Sequence, residues 1–146
     1  MIITRGRAEG GATLRRADTF TGAVWTDPVL PTTDGVTVNQ VVFAPAARTH
    51  WHRHQRGQLL LVTTGFGLVQ ARGGPVEPLR AGDAVWVPPG ETHWHGAGPG
   101  SLLVHLAISL GVTEWLEPVP DAEVPDTDTD ADSATPPPTP DEERRP

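Results

Sequence analysis

The chain has 146 residues with 18 acidic and 11 basic side chains, all of the basic ones arginine, and a formal net charge of -7. Cysteine is absent, which excludes a disulfide framework and a thiolate metal site. Residues 117–146 carry 10 carboxylates and 2 arginines, whereas residues 1–116 carry 9 arginines and 8 carboxylates. The arginines are scattered, no apolar run approaches the roughly 20 residues of a membrane span, and the N-terminus lacks the apolar core of a secretory signal. We therefore expect a soluble, cytoplasmic protein without nucleic-acid or membrane partners.

Short apolar segments follow one another along the first three quarters of the chain, and most are bounded by Gly, Pro or Asp. This pattern is typical of antiparallel strands, which we predict at 24–26, 36–43, 58–64, 68–71, 84–87 and 102–108. A short helix is predicted near 113–117. Many short strands without helices between them predict an all-β fold, a sandwich or a small barrel.

The strand predicted at 36–43 has two faces, and Asn39 and Val41 lie on the same one. If this face points inward, these two side chains flank the centre of the barrel. We therefore predict that Asn39 and Val41 shape a pocket for a small-molecule substrate.

Residues 117–146 are rich in Asp and Pro and offer almost nothing to bury. Burial of apolar surface cannot then offset the entropy of ordering the chain. The sequence predicts one domain at 1–116 and a disordered acidic, Pro-rich tail at 117–146, which serves to keep the protein in solution.

All six histidines lie between positions 50 and 105. Residues two apart in a strand share a face, so His52 and His54 point the same way, as do His93 and His95. Two such pairs on neighbouring strands can converge on one cation. Imidazole without thiolate suits Mn, Fe, Co, Ni, Cu or Zn.

The spacing around these histidines is more specific than the histidines themselves. Two patterns are present: His52-x-His54-x3-Gln58-x6-Gly65 and Gly82-x5-Pro88-x-Gly90-x2-His93. They resemble the two motifs of the cupin superfamily, G(X)5HXH(X)3-4E(X)6G and G(X)5PXG(X)2H(X)3N. The resemblance implies a small antiparallel β-barrel of the jelly-roll type with one mononuclear metal site, and a homodimer.

Three positions depart from the cupin motifs. Ala46 replaces the first glycine of the first motif, Ala97 replaces the final asparagine of the second, and Gln58 replaces the usual glutamate ligand. A glutamine carbonyl leaves the full charge of a divalent cation uncompensated, which favours a strong Lewis acid that can hold an anion.

The segments 48–58, 88–97 and 104–108 look like a group of bacterial cupins that includes manganese-dependent hydroxynitrile lyases. The resemblance implies metal ligands at His52, His54, Gln58 and His93. It implies one divalent transition metal per chain, manganese first and iron, nickel, cobalt or zinc as alternatives. It also implies acid/base roles for the two remaining histidines of the barrel, His95 and His105.

Other interpretations of these residues stay open. His105 shares its face with Leu103 and Ala107, and a lone histidine in such a strand is usually a packed core residue. His50 is expected where the strand has left the barrel, with an additional pocket group as the alternative. Trp51 and Trp94 are expected to pack on the outer face.

The leading functional hypothesis is a metal-dependent lyase that acts on a small cyanohydrin or a related hydroxy or carbonyl compound. An iron- or manganese-dependent dioxygenase would use the same ligands, although the usual facial site includes a carboxylate. A binding domain without turnover is the third hypothesis, because a fold does not imply catalysis. A pocket blocked by side chains would favour this last hypothesis.

Overall fold

The computed structural model describes residues 1–126 and shows a nearly closed antiparallel β-barrel, which confirms the predicted all-β fold. The strands of this part of the chain are β1 (Leu14–Arg16), β2 (Phe20–Thr21), β3 (Val24–Thr33), β4 (Val36–Phe43), β5 (Arg48–Thr49), β6 (His52–His54), β7 (Gln58–Ala71), β8 (Val76–Arg80), β9 (Ala84–Val87), β10 (His93–Ala97), β11 (Leu103–Leu110) and β12 (Thr113–Trp115). One 3₁₀ turn is present at Asp121–Glu123. No helix within residues 1–126 is long and apolar enough to cross a membrane.

The long strand β7 joins the two halves of the barrel. Its first half pairs with β11 and β9, and its second half pairs with β10 and β8. Gly65 lies between these halves with φ +84, and a Cβ on it would be 1.9 Å from the carbonyl oxygen of Leu102. Only glycine fits this position. The strand continues through Gly65, so the two strands predicted at 58–64 and 68–71 are one continuous strand.

The barrel interior is filled by inward-facing side chains of β3, β4, β7 and β11. Val24, Phe43, Leu60 and Leu103 are fully buried there. Val41 belongs to this core and also lines the central cavity. The core therefore forms part of the cavity wall and holds its shape.

The chain remains packed beyond the predicted domain boundary at residue 116. Val119 is 1% exposed and lies against Trp51 and Trp94 on the outside of the barrel, where these tryptophans were expected. The buried Arg48 guanidinium donates to the Val119 carbonyl at 2.7 Å and pairs with the Asp121 carboxylate. The predicted boundary at residue 116 therefore falls inside the packed part of the chain. The sequence did not indicate this, because the apolar partners of Val119 are two tryptophans that are distant in sequence. The rest of the predicted tail, residues 127–146, lies outside the described residues.

The predicted helix near 113–117 is wrong, because Thr113–Trp115 is strand β12 and pairs with β6. Ala46, at the position of the motif glycine, has φ 64. The turn before β5 thus has a left-handed residue at the position where the motif has glycine. This conformation costs an alanine roughly 1–2 kcal/mol.

Candidate metal centre

The histidines of the two motifs meet because β6 and β10 are neighbouring strands. His52 and His93 are directly paired across these strands, and each is 1% exposed. Their ring centroids are 4.2 Å apart, and the His54 ring lies 5.0 Å from that of His52. The strand alternation expected from His-x-His therefore places all three rings on the inner face.

Backbone carbonyls orient two of these rings. The Nδ1 of His52 lies 3.0 Å from the carbonyl oxygen of His50, and the Nδ1 of His93 lies 3.0 Å from that of Glu91. A carbonyl only accepts, so Nδ1 carries the proton in both rings. The Nε2 lone pairs of His52 and His93 are then left for the site, as in proteins that bind metal through imidazole.

His54 is oriented by a side chain of the next strand. Its Nδ1 lies 2.9 Å from the hydroxyl oxygen of Thr113, which is paired with it across β6 and β12. Its Nε2 is buried and has no hydrogen-bond partner among the described residues. Buried polar atoms without a partner are uncommon in proteins. A cation at this point would satisfy the Nε2 lone pair.

Gln58 completes the set with an amide that is held at one end. Its Nε2 donates to the Ser109 hydroxyl at 3.0 Å, so its Oε1 faces the histidines and lies 3.0 Å from the Nε2 of His93. Because the proton of His93 is on Nδ1, this short contact brings two acceptors together. A cation bound to both atoms would remove their repulsion.

Burial keeps these rings neutral. It lowers the pKa of His54 and His93 to about 4 and that of His52 well below its ordinary value of 6.5; the neighbouring His93 lowers the pKa of His52 and His54 further. Near neutral pH each ring therefore offers a lone pair rather than a second proton. Three imidazole nitrogens and one amide oxygen fit a divalent transition metal and add no charge to it.

His95 also reaches this centre. One ring nitrogen from each of His52, His93 and His95 lies within 4.8 Å of the others, which makes a three-histidine cluster that could hold a metal ion. The predicted set had His54 and Gln58 as ligands and His95 as an acid/base group. The structure brings all five side chains to one place and offers His95 for either role.

His105 lies behind His95, fully buried and outside the cavity lining. Its Nε2 is 3.0 Å from the Nδ1 of His95, while the Nε2 of His95 is buried without a partner in the described structure. Burial lowers the pKa of His105 to about 4 and that of His95 well below 6.5. His105 can therefore set the tautomer of His95, and only His95 of the two lines the cavity.

A cavity of about 270 Å³ opens beside the cluster. Asn39 and Val41 both line it, as their strand face predicts. His50 does not line it and lies between β5 and β6, in agreement with the expectation that the strand has left the barrel there. A volume near the low end for ligand sites limits the occupant to a small molecule.

Several side chains that support the site were not found from the sequence. Thr113 and Ser109 hold His54 and Gln58, Thr49 accepts the backbone N–H of His95 at 3.2 Å, and the Trp115 ring stacks on His52 at 4.6 Å. The alternation Thr113-x-Trp115 repeats that of His52-x-His54, but three residues are too few to separate a strand from a helix, so the signal is weak. Ser109 and Thr49 carry no such signal.

Comparison with known proteins agrees with this geometry. Residues 39–106 match the family model of the cupin domain. A relative from Granulicella tundricola, an (R)-mandelonitrile lyase, is 46% identical over 113 residues, which are 73% of this chain and 86% of the relative. The chain belongs to the cupin family.

Solved structures give the same result for this cupin. A cupin-like protein from Thermotoga maritima has 45% identity and a TM-score of 0.71, and the match covers 74% of this chain and 86% of that one. A polyketide cyclase from Streptomyces resistomycificus has 19% identity and a TM-score of 0.66, with 86% and 91% covered. The second likeness concerns the fold alone.

Proposed function

We propose that this cupin is a metal-dependent lyase that cleaves a small cyanohydrin, or a related hydroxy compound, to a carbonyl product. The observation that carries the proposal is the buried, unpartnered Nε2 of His95, a neutral base on the cavity wall beside the candidate ligands. The (R)-mandelonitrile lyase named above, 46% identical, supports the same reaction class.

The reaction needs a base and a place for an anion. Cleavage of a cyanohydrin moves the hydroxyl proton to a base while the carbon–carbon bond breaks, the carbonyl forms and cyanide leaves with the bonding electron pair. His95 accepts the proton at Nε2 and returns it to cyanide, so the products are a carbonyl compound and hydrogen cyanide. A divalent cation held by His52, His54, Gln58 and His93 would supply positive charge for the developing anion.

His105 acts through His95 in this scheme. For His95 to present a lone pair at Nε2, its Nδ1 must carry the proton and donate it to the Nε2 of His105, 3.0 Å away. His105 then holds its own proton on Nδ1. We therefore assign His105 a positioning role and His95 the catalytic one.

The competing functions fit the cavity less well. No Asp or Glu lines the cavity within the described residues, so the facial site with one carboxylate that iron oxygenases use is not formed. A binding domain without turnover was expected to have a pocket blocked by side chains. The cavity is open instead. Oxygen uptake after anaerobic Fe(II) loading tests the first alternative directly.

The proposal is tested with manganese-loaded protein and racemic mandelonitrile, following benzaldehyde by absorbance. We expect release of benzaldehyde that His52→Ala abolishes and that His95→Gln lowers by about 10²–10⁴-fold, the usual contribution of a positioned base. Release by the native protein no faster than by His52→Ala would refute the lyase assignment.

The choice of manganese and the homodimer stay predictions. Elemental analysis of protein purified without added metal identifies the resident ion, and sedimentation equilibrium gives the oligomeric state. Most of the purified protein carrying zinc or iron, or a monomer at micromolar concentration, would contradict them.

A further inference from the structure

Arg16 is the one charged side chain among the described residues that line the cavity. Every other lining side chain is uncharged near neutral pH, since burial lowers the pKa of the lining histidines. The cavity therefore combines a permanent cation with a candidate metal centre whose ligands bring no negative charge.

Strand alternation places Arg16 on the cavity side of β1. Leu14 and Arg16 line the cavity, whereas Arg15 between them is exposed and lies over the Trp25 ring at 5.3 Å. The pairing of β1 with β3 fixes this phase, because Leu14 is opposite Thr26, another lining residue. Two adjacent arginines thus have opposite environments.

Aromatic rings connect Arg16 with the metal centre. Its guanidinium carbon is 5.8 Å from the centroid of Phe20, and the Phe20 ring is 5.4 Å from that of Trp115. The Trp115 ring in turn stacks on His52. These four side chains form one wall of the cavity, with the Arg16 guanidinium at one end and the candidate ligand His52 at the other.

No carboxylate of the described residues is paired with Arg16. Ion pairs are formed instead by other arginines, among them Arg7, Arg48, Arg53 and Arg72. With a cation at the candidate metal centre, this small cavity would hold two positive charges and no lining carboxylate, which favours an anionic occupant.

We propose that Arg16 binds a carboxylate on the substrate, at the end remote from the reacting carbon. The inference rests on the proposed lyase function and narrows its substrate to a small hydroxynitrile, or the matching carbonyl compound, that carries a carboxylate. A single guanidinium offers a planar pair of donors that matches one carboxylate and balances its one charge. Phe20 and Trp115 contact the apolar part of such a molecule.

The test compares two carbonyl probes of the same shape, 4-formylbenzoate and neutral 4-formylbenzamide. Their dissociation constants are measured by calorimetry with manganese-loaded native protein, Arg16→Gln and the matched control Arg15→Gln. We expect the benzoate to bind at least tenfold more tightly than the benzamide to the native protein. This preference should fall to less than twofold in Arg16→Gln and persist in Arg15→Gln.

Two outcomes would overturn the inference. If the preference survives Arg16→Gln but is lost from native protein stripped of metal, the carboxylate binds at the metal centre instead. If both arginine variants lose it equally, the effect comes from overall charge and not from Arg16. Because the readout is equilibrium binding, a failure of mandelonitrile cleavage would leave this result interpretable, and Arg16-dependent binding would then indicate a carboxylate ligand for another reaction.

Discussion

Removal of the Ser109 hydroxyl should weaken metal binding without changing any candidate ligand. Ser109 accepts the hydrogen bond of the Gln58 amide at 3.0 Å, and Gln58 is only 3% exposed. In Ser109→Ala the amide loses the partner that directs its oxygen toward the histidines. It is then free to rotate about its last side-chain bond and to present its NH₂ group instead.

Two independent ranges give the size of this effect. A neutral hydrogen bond contributes about 0.5–1.5 kcal/mol. Loss of an outer partner of a metal ligand typically costs about 10–100-fold in metal affinity. The ranges overlap near tenfold, or about 1.4 kcal/mol, which is the increase in dissociation constant that we expect for Ser109→Ala.

The assay is a competition titration of Mn²⁺ against a chelating indicator. Thr63→Val is the matched control, because the Thr63 hydroxyl bonds the Val104 carbonyl between the same two strands, β7 and β11, but lies outside the barrel. Its manganese affinity should equal that of the native protein. Unchanged affinity in Ser109→Ala, or an equal loss in Thr63→Val, would refute the argument that Ser109 orients Gln58.

Three further predictions concern the ends of the fold, its pH dependence and the ligand charge. A chain cut after residue 126 should unfold at the same urea concentration as the full chain. A chain cut after residue 116 should lose about 2 kcal/mol or more of its free energy of unfolding, since Val119 is fully buried. Equal urea midpoints for the two shortened chains would contradict the packed role of 117–126. The pKa of His105 is about 4 in the folded protein and 6.5 in the unfolded chain, so the stability that this neutral ring contributes is complete above pH 6.5 and is lost as the pH falls. Urea denaturation of the metal-free protein should show a loss of about 2 kcal/mol per such histidine between pH 6.5 and pH 5. His105→Gln should flatten this dependence, and an unaltered pH profile would argue against a neutral buried ring. Gln58→Glu should bind Mn²⁺ more tightly in the same competition titration, because it adds a negative charge to the ligand set, and weaker binding would count against Gln58 as a ligand.

The sequence by itself determined what depends on short-range geometry. Period-two alternation placed His52 with His54, and Asn39 with Val41, on a shared face of each strand, because successive side chains of any strand point to opposite sides. The bounds of the strand at 36–43 followed from its recurring apolar residues and from the Asp and Gly that precede it. The resemblance to the two cupin motifs implied the candidate ligands, and the same resemblance showed that Gln58 stands where the first motif has a glutamate.

Only the tertiary structure decided which strands are neighbours. Thr113 lies 59 residues from His54 and Ser109 lies 51 residues from Gln58, so no local pattern links these pairs. The three-residue strand at 113–115 was predicted as a helix because so short a segment has no distinct period. Its conformation comes from backbone pairing with β6, just as the burial of Val119 comes from two distant tryptophans. A contact between distant residues is fixed by the packing of the whole barrel, and this is why the sequence pointed to candidate ligands but not to the side chains that orient them.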